Sequence, residues 1–261
     1  MLVAAGSVGM TGAAYLACEG ALLIGSGLVT CAVPKGLNAI MEAKLTEAIT
    51  LPVEDKGRGY FSLGGFPGLA RFAKNTDAAA VGPGVSQNAS VKRFIEKIIR
   101  TFDIPIVLDA DGINCLAGRP GILKKAKAPV VITPHPGEMS RLIGRDTSYI
   151  QKNRTKVAVG CAKKYGVTVV LKGKGTVVAS PDGRVYVNKT GNPGMATGGV
   201  GDILTGMIAG LIGQKFTPFE AAKCGVYVHG LAGDLAAKKR GEVSLLARDV
   251  LDNIPMAVRT G

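Results

Sequence analysis

Hydrophobic positions in this chain fall in short β-branched blocks separated by longer stretches with helical spacing, almost from end to end. Leu2–Ala5, Leu28–Val33, Ala78–Val81, Ile104–Leu108, Val130–Ile132 and Val167–Leu171 predict buried strands, because unbroken apolar runs suit a sheet covered on both faces. The intervening spacing predicts helices near 12–25, 36–45, 88–101, 112–126 and 147–165. Such alternation implies an α/β fold, with right-handed crossovers and a mostly parallel central sheet flanked by helices. After Leu171 the texture changes. Thr176–Ala179 and Arg184–Asn188, joined by Ser180-Pro181-Asp182-Gly183, read as an antiparallel hairpin, and helices follow near 200–213, 217–239 and 244–258. Pro52–Gly68 is the most irregular segment and reads as a surface excursion. With no linker, repeat or low-complexity tract, a single domain over 1–261 is expected.

Residues 1–34 carry one charge, Glu19, but no basic start precedes the apolar part and six glycines interrupt it. A charge at that depth costs a spanning helix several kcal/mol, so a buried unit of a soluble, cytoplasmic protein is the better reading. The chain starts abruptly inside its first strand, so a few native residues are expected to be missing. The 261 residues contain 47% hydrophobic residues and 37 glycines, which fits a compact enzyme rather than a disordered or fibrous chain. Lys and Arg outnumber Asp and Glu by 32 to 19, a net +13 that favours anionic partners. The basic residues are scattered, with no aromatic ladder beside them and aromatics at 5%, so a polyanionic small molecule explains the charge as well as nucleic acid does, and charge alone does not decide. Five cysteines without a C-x-x-C pair and only two histidines rule out a zinc site and read as buried reduced thiols.

Candidate chemistry sits at the ends of the predicted strands. The run Thr190–Asp202 contains five glycines between 191 and 201, ends in Asp202 and opens an apolar helix. Bare amides and the positive end of a helix dipole make an anion site there. A carboxylate in that place would repel a phosphate unless its task is to deprotonate the group attacking it; the plainer reading is a tight turn with a capping Asp. Lys172-Gly173-Lys174-Gly175-Thr176 offers glycine backbone, two ammonium groups and a hydroxyl, or else a basic turn in solvent. Thr133-Pro134-His135-Pro136-Gly137-Glu138 follows a strand, with two prolines fixing a loop in which His135 would contact a ligand and Glu138 would orient a hydrated Mg²⁺. Asp109 and Asp111 also end a strand, one of them open to a helix-capping role, and Gly82-Pro83-Gly84 closes another. Walker A, dinucleotide and nucleophile-elbow signatures are absent. The last four of these candidate motifs, from separated regions of the chain, thus converge on one sheet edge.

In these residues the chain resembles the ADP/ATP-dependent NAD(P)H-hydrate dehydratases, a branch of the ribokinase-like superfamily. Thr11-Gly12-Ala13, Val81–Gly84, Leu108–Asp111, Thr133–Glu138, Lys172–Thr176 and Gly198–Asp202 stand in the family's order, from about Leu2 to about Val258. His135 separates the chain from sugar and vitamin kinases of that fold, which typically carry Asn there. The resemblance implies a three-layer ribokinase-like sandwich. It implies an adenine nucleotide, ADP or ATP with Mg²⁺, held by Lys172, Gly173, Lys174, Gly175 and Thr176 together with Asn192, Gly194, Thr197, Gly198, Gly199 and Gly201. It further implies a hydrated NADH or NADPH lined by Ala13, Gly84, His135 and Asp202, with Asp202 as catalytic base, and a homo-oligomer, a tetramer in the family. An epimerase domain that often precedes this one in the family is not in the sequence. The competing readings are a kinase of the same fold, which would release a stable phosphoester, and a basic module binding RNA.

Overall fold

Strand side chains alternate between two separate apolar cores, which decides the architecture. In the computed structural model, which describes residues 1–261, Val3, Cys31, Ala80, Val107, Val131 and Val170 point into one core and their neighbours Leu2, Ala32, Ala79, Ile106, Ile132 and Val169 into the other. The two clusters hold 40 and 39 buried residues, so neither sheet face is left to solvent.

The elements in chain order are β1 (Leu2–Ala4), α1 (Thr11–Leu23), β2 (Thr30–Pro34), α2 (Asn38–Lys44), β3 (Ile49–Val53), α3 (Phe66–Ala73), β4 (Ala79–Val81), α4 (Ala89–Thr101), β5 (Ile106–Leu108) and α5 (Asp111–Asn114). They continue with β6 (Val130–Ile132), α6 (Pro136–Ile143), α7 (Thr147–Lys152), α8 (Arg154–Tyr165), β7 (Thr168–Leu171), β8 (Val177–Ala179), β9 (Val185–Val187), α9 (Val200–Gly213), α10 (Pro218–Arg240) and α11 (Ala247–Thr260). One sheet of order β3-β2-β1-β4-β5-β6-β7-β8-β9 carries all nine strands. The pairs from β3 through β7 are parallel, and the expected hairpin adds β8 and β9 antiparallel. On one face lie α1, α9, α10 and α11, and on the other α3, α4 and α8. No helix is long and apolar enough to cross a membrane.

Four expectations need correction. The sequence reading has no β3, which pairs with β2 from Ile49 to Val53 as an edge strand; an edge is where Pro52, lacking an N–H, is tolerated. Pro52–Gly68 is not a surface excursion, because Phe61 is fully buried and stacks on Phe94 with centroids 5.0 Å apart. The helix expected over 112–126 ends at Asn114 and resumes as a 3₁₀ turn over Pro120–Lys125, since Gly118 turns left-handed (φ 71°) and Pro120 cannot continue an α-helix. The helix expected over 147–165 breaks at Asn153 (φ −128°, ψ 32°) into α7 and α8.

Candidate active site

The strand order reverses between β1 and β4, and a parallel sheet binds ligands in the crevice that opens beyond the C-terminal strand ends at such a point. The loops leaving these two strands are tied together. Gly6 donates its N–H to Pro83 O (2.8 Å) and Ser7 its hydroxyl to Gly84 O (2.7 Å). A Cβ on Gly84 would lie 3.1 Å from Ala13 Cβ, so these two predicted substrate residues are neighbours, one on the β4 loop and one in the first turn of α1.

One strand along, Asp109 follows β5 with 1% exposure. It accepts from Lys172 Nζ and from Thr205 Oγ1, both at 2.6 Å. Lys172 Nζ also lies 3.9 Å from Glu138 Oε2. Burial pulls the Lys172 ammonium toward neutrality, but Asp109 and Glu138 outweigh it and its pKa is raised. The sequence offers Lys172 as a phosphate donor; the structure pins it between two carboxylates, its side chain 18% exposed. Ala110, next to Asp109, is held at φ 49° and ψ −120°, a strained conformation for a residue with a Cβ. Asp111 turns elsewhere, accepting from Ser86 N (2.9 Å) and Gln87 Nε2 (2.7 Å), and so braces the β4 loop.

His135 and Glu138 build the start of α6, a helix that the sequence reading left as loop. His135 Nδ1 accepts from the amides of Gly137 (3.0 Å) and Glu138 (3.4 Å), and Glu138 Oε2 accepts from His135 N (2.8 Å), a reciprocal cap. That network assigns the proton to Nε2. Burial, with Lys172 and Arg141 nearby, lowers the His135 pKa, so the half-exposed imidazole is a neutral donor. Burial raises the Glu138 carboxyl. No group of three or more His, Cys, Asp or Glu side chains could hold a metal. Glu138, already capped by His135 and facing Lys172, suits a Mg²⁺ that arrives on phosphates and keeps its waters, not a resident ion.

Asp202 stands in the first turn of α9. Burial first, then the nearby Asp109 charge, push its pKa from 3.8 to about 7 despite the opposing pull of Lys172. The backbone amides of Thr197, Gly198, Gly199, Val200 and Gly201 have no acceptor within the chain, and together with the helix dipole they form an anion-binding cradle beside that carboxylate. Gly199 caps the helix at φ 91°, where a Cβ would also overlap Leu16. A Cβ on Gly201 would sit 3.2 Å from Lys172 Nζ, so the two predicted nucleotide loops meet over that ammonium. Helix α9 is seated by close approach: a Cβ on Gly206 would overlap the Ala17 carbonyl oxygen of α1.

Upstream of the cradle, Asn192 Nδ2 and Gly191 N donate to Asp234 of α10 (3.0 and 2.9 Å), and the Asn192 side chain caps Gly194 N. Asn192 and Gly194 therefore lie at the anchored end of the loop and Thr197 to Gly201 at its open end. Buried His229 donates Nε2–H to Val200 O (2.9 Å), and burial lowers its pKa to about 4. Sequence reasoning missed Thr205, Asp234 and His229, which sit on long helices with no local motif.

The family model of NAD(P)H-hydrate dehydratases matches residues 1–256. The chain is 43% identical over 259 residues to the bifunctional NAD(P)H-hydrate repair enzyme of Moorella thermoacetica, covering 99% of this chain and 49% of that protein. It is 35% identical to the ADP-dependent (S)-NAD(P)H-hydrate dehydratase of Bacillus subtilis, covering 97% of this chain and 87% of the relative. It thus spans about half the length of the bifunctional relatives. The crystal structure of the Bacillus subtilis ADP/ATP-dependent dehydratase grown with ATP/Mg²⁺ superposes with a TM-score of 0.83 at 34% identity, over 99% of this chain and 88% of that one. The fold is the ribokinase-like three-layer sandwich, and by sequence over nearly its whole length the chain belongs to the NAD(P)H-hydrate dehydratase family.

Proposed function

We propose that this protein dehydrates hydrated NADH or NADPH (the S epimer) back to NAD(P)H at the cost of an adenine nucleotide, ADP in preference to ATP. The observation that carries the reading is the part-buried Asp202 carboxylate, held near neutral pKa beside five consecutive acceptor-free amides. A base poised there can act at neutral pH, and the amides face charge that develops on a transferred phosphoryl group.

Gly173 to Thr176, with Asn192, Gly194, Thr197, Gly198, Gly199 and Gly201, hold the nucleotide, Lys172 serving that loop through its ion pair with Asp109, while Ala13, Gly84, His135 and Asp202 line the hydrated ring. Asp202 takes the proton of the ring hydroxyl as its oxygen attacks the terminal phosphorus and AMP leaves with the broken bond's electrons. The hydroxyl has become a phosphate ester. Its C–O bond breaks with the electron pair departing on phosphate, pushed by the ring nitrogen, and loss of a proton from the neighbouring ring carbon restores the reduced nicotinamide. The neutral His135 Nε2–H orients the substrate by hydrogen bonding. Mg²⁺ bound to the nucleotide would supply charge neutralisation on its phosphates, next to Glu138. We place the enzyme in the cytoplasm, as a homo-oligomer and a single domain.

The test is direct. Incubation with hydrated NADH and ADP or ATP should restore the reduced-nicotinamide absorbance and release free phosphate. A persistent phosphoester would assign the chain to the kinases of this fold, and no turnover with salt-dependent RNA binding would make it a basic module.

A further inference from the structure

The structure assigns to Arg154, at the start of α8, the role of positioning residue for the Lys172–Thr176 loop, setting which face of that loop meets the nucleotide's phosphates. This inference rests on the nucleotide-loop reading proposed above. The Arg154 guanidinium lies behind the loop and forks across both of its ends. Nη2 donates to Leu171 O (2.8 Å) and Gly175 O (3.3 Å), and Nη1 donates to Lys172 O (3.3 Å) and Gln151 Oε1 (3.1 Å). Three carbonyls of one short segment thus turn inward to a single cation. The backbone bends to permit it: Gly173 is at φ 134° and a Cβ there would be 3.0 Å from Arg154 Nη1, and Gly175 is at φ 63°.

With those carbonyls gathered on one side, the amides of Lys174, Gly175 and Thr176 find no acceptor in the chain. Successive free amides in a turn of this kind make a concave anion site. The hydrogen bonds of the Arg154 guanidinium all run to groups of the chain itself, three of them to carbonyls of this one loop. A lysine could not replace it fully, because a point ammonium cannot span both ends of the loop as the planar fork does.

Calorimetric titration of ADP and ATP into the wild-type protein, Arg154→Met and Arg154→Lys tests the role, alongside KM for both substrates. Loss of charge-assisted bonds that hold the loop should weaken nucleotide binding about 10- to 100-fold in Arg154→Met. The Lys variant should fall between the two, and KM for the hydrated dinucleotide should stay within about twofold in both. The Lys variant carries the test if the Met variant fails to fold. Wild-type nucleotide affinity in the folded variants, or an equal rise in both KM values, overturns the Arg154 role while leaving the nucleotide site standing. Failure of the wild-type protein to bind either nucleotide overturns the reading of the loop itself, and this inference with it.

Discussion

Replacing Asp202 by Asn keeps the side-chain volume and removes the proton acceptor, so it separates the catalytic use of this carboxylate from its cost to the fold. Asp202 has a pKa of about 7 in the folded chain against an ordinary 3.8, chiefly through burial. The folded protein therefore holds a proton that the unfolded chain releases. Relative to Asn, which titrates nowhere, the wild-type side chain contributes no penalty below 3.8. It loses stability as pH rises from 3.8 to about 7, and carries a constant penalty above that. At about 1.36 kcal/mol per unit the ceiling is about 4 kcal/mol, and partial contact with solvent reduces this to roughly 2–4 kcal/mol. At roughly 2–4 °C per kcal/mol for a chain of this size, Asp202→Asn should raise Tm by roughly 4–16 °C near pH 8. The gain should vanish near pH 4. Turnover should fall about 100- to 10,000-fold with nucleotide binding intact. In the wild-type enzyme log(kcat/KM) should rise with unit slope up to about pH 7 and then level, which stopped-time assays across that range would show. A Tm difference that does not change with pH, or a rate profile flat down to pH 5, would refute the assignment of a raised pKa to this group. Near-normal activity in the variant would refute its role as base.

His135→Ala should raise KM for the hydrated dinucleotide with little change in KM for nucleotide, and, by removing the cap of α6, should cost roughly 0.5–2 kcal/mol in denaturant unfolding. If nucleotide affinity alone moved, the two subsites would have been assigned the wrong way round. Gly206→Ala should destabilise by about 3 kcal/mol, read as a lower urea midpoint, because its Cβ overlaps the Ala17 carbonyl and α9 must shift away from α1. An unchanged midpoint would mean that the two helices separate freely. ADP should support higher kcat/KM than ATP with highly purified nucleotides. An additional phosphate would push the reacting group away from Asp202, and a misplacement of about 1 Å can cost roughly 100-fold. A clear ATP preference would overturn the donor assignment and leave the reaction class untouched.

Eight of the nine strands were legible, β9 through the Ser180–Gly183 turn that joins it to β8 and the rest because they are buried apolar runs bounded by polar loops. The exception, β3, lies at the sheet edge with Ile49 51% exposed and Pro52 within it, so it carries neither an unbroken apolar run nor strict alternation. Helices α3 and α6 were hidden for a related reason. Phe66-Pro67-Gly68 and Pro136-Gly137 read as loop, yet proline and glycine here occupy first-turn positions, where a missing N–H costs nothing. The motif residues that sit on strand ends were legible because a parallel sheet delivers every strand's C-terminal end to one edge. Arg154, Thr205 and Asp234 were not. Each acts on a group far away in sequence, Thr205 on Asp109 and Asp234 on Asn192, and nothing local marks an ordinary helix residue as the partner of a remote loop.

Two kinds of rigidity meet at the site, and they have different origins. The helix that carries Asp202 is fixed by backbone-to-backbone approach, Gly206 on Ala17, a contact with no side chain in it that could change rotamer and let the helix drift. The loops that face phosphate are fixed by charge and by side-chain acceptors and donors reaching across from other elements: Arg154 behind Lys172–Thr176 and Asp234 beneath Gly191–Asn192. In both loops the supporting groups engage one side and leave successive amides without acceptors on another. An anion site made this way needs no cationic side chain aimed at the ligand, which agrees with the Lys172 ammonium being committed to Asp109. The state of Asp202 has a different cause: burial first, then the nearby Asp109 charge, raise its carboxyl to about 7 against the opposing pull of Lys172, and a carboxylate with that affinity for protons suits the proposed removal of one from an attacking hydroxyl near neutral pH.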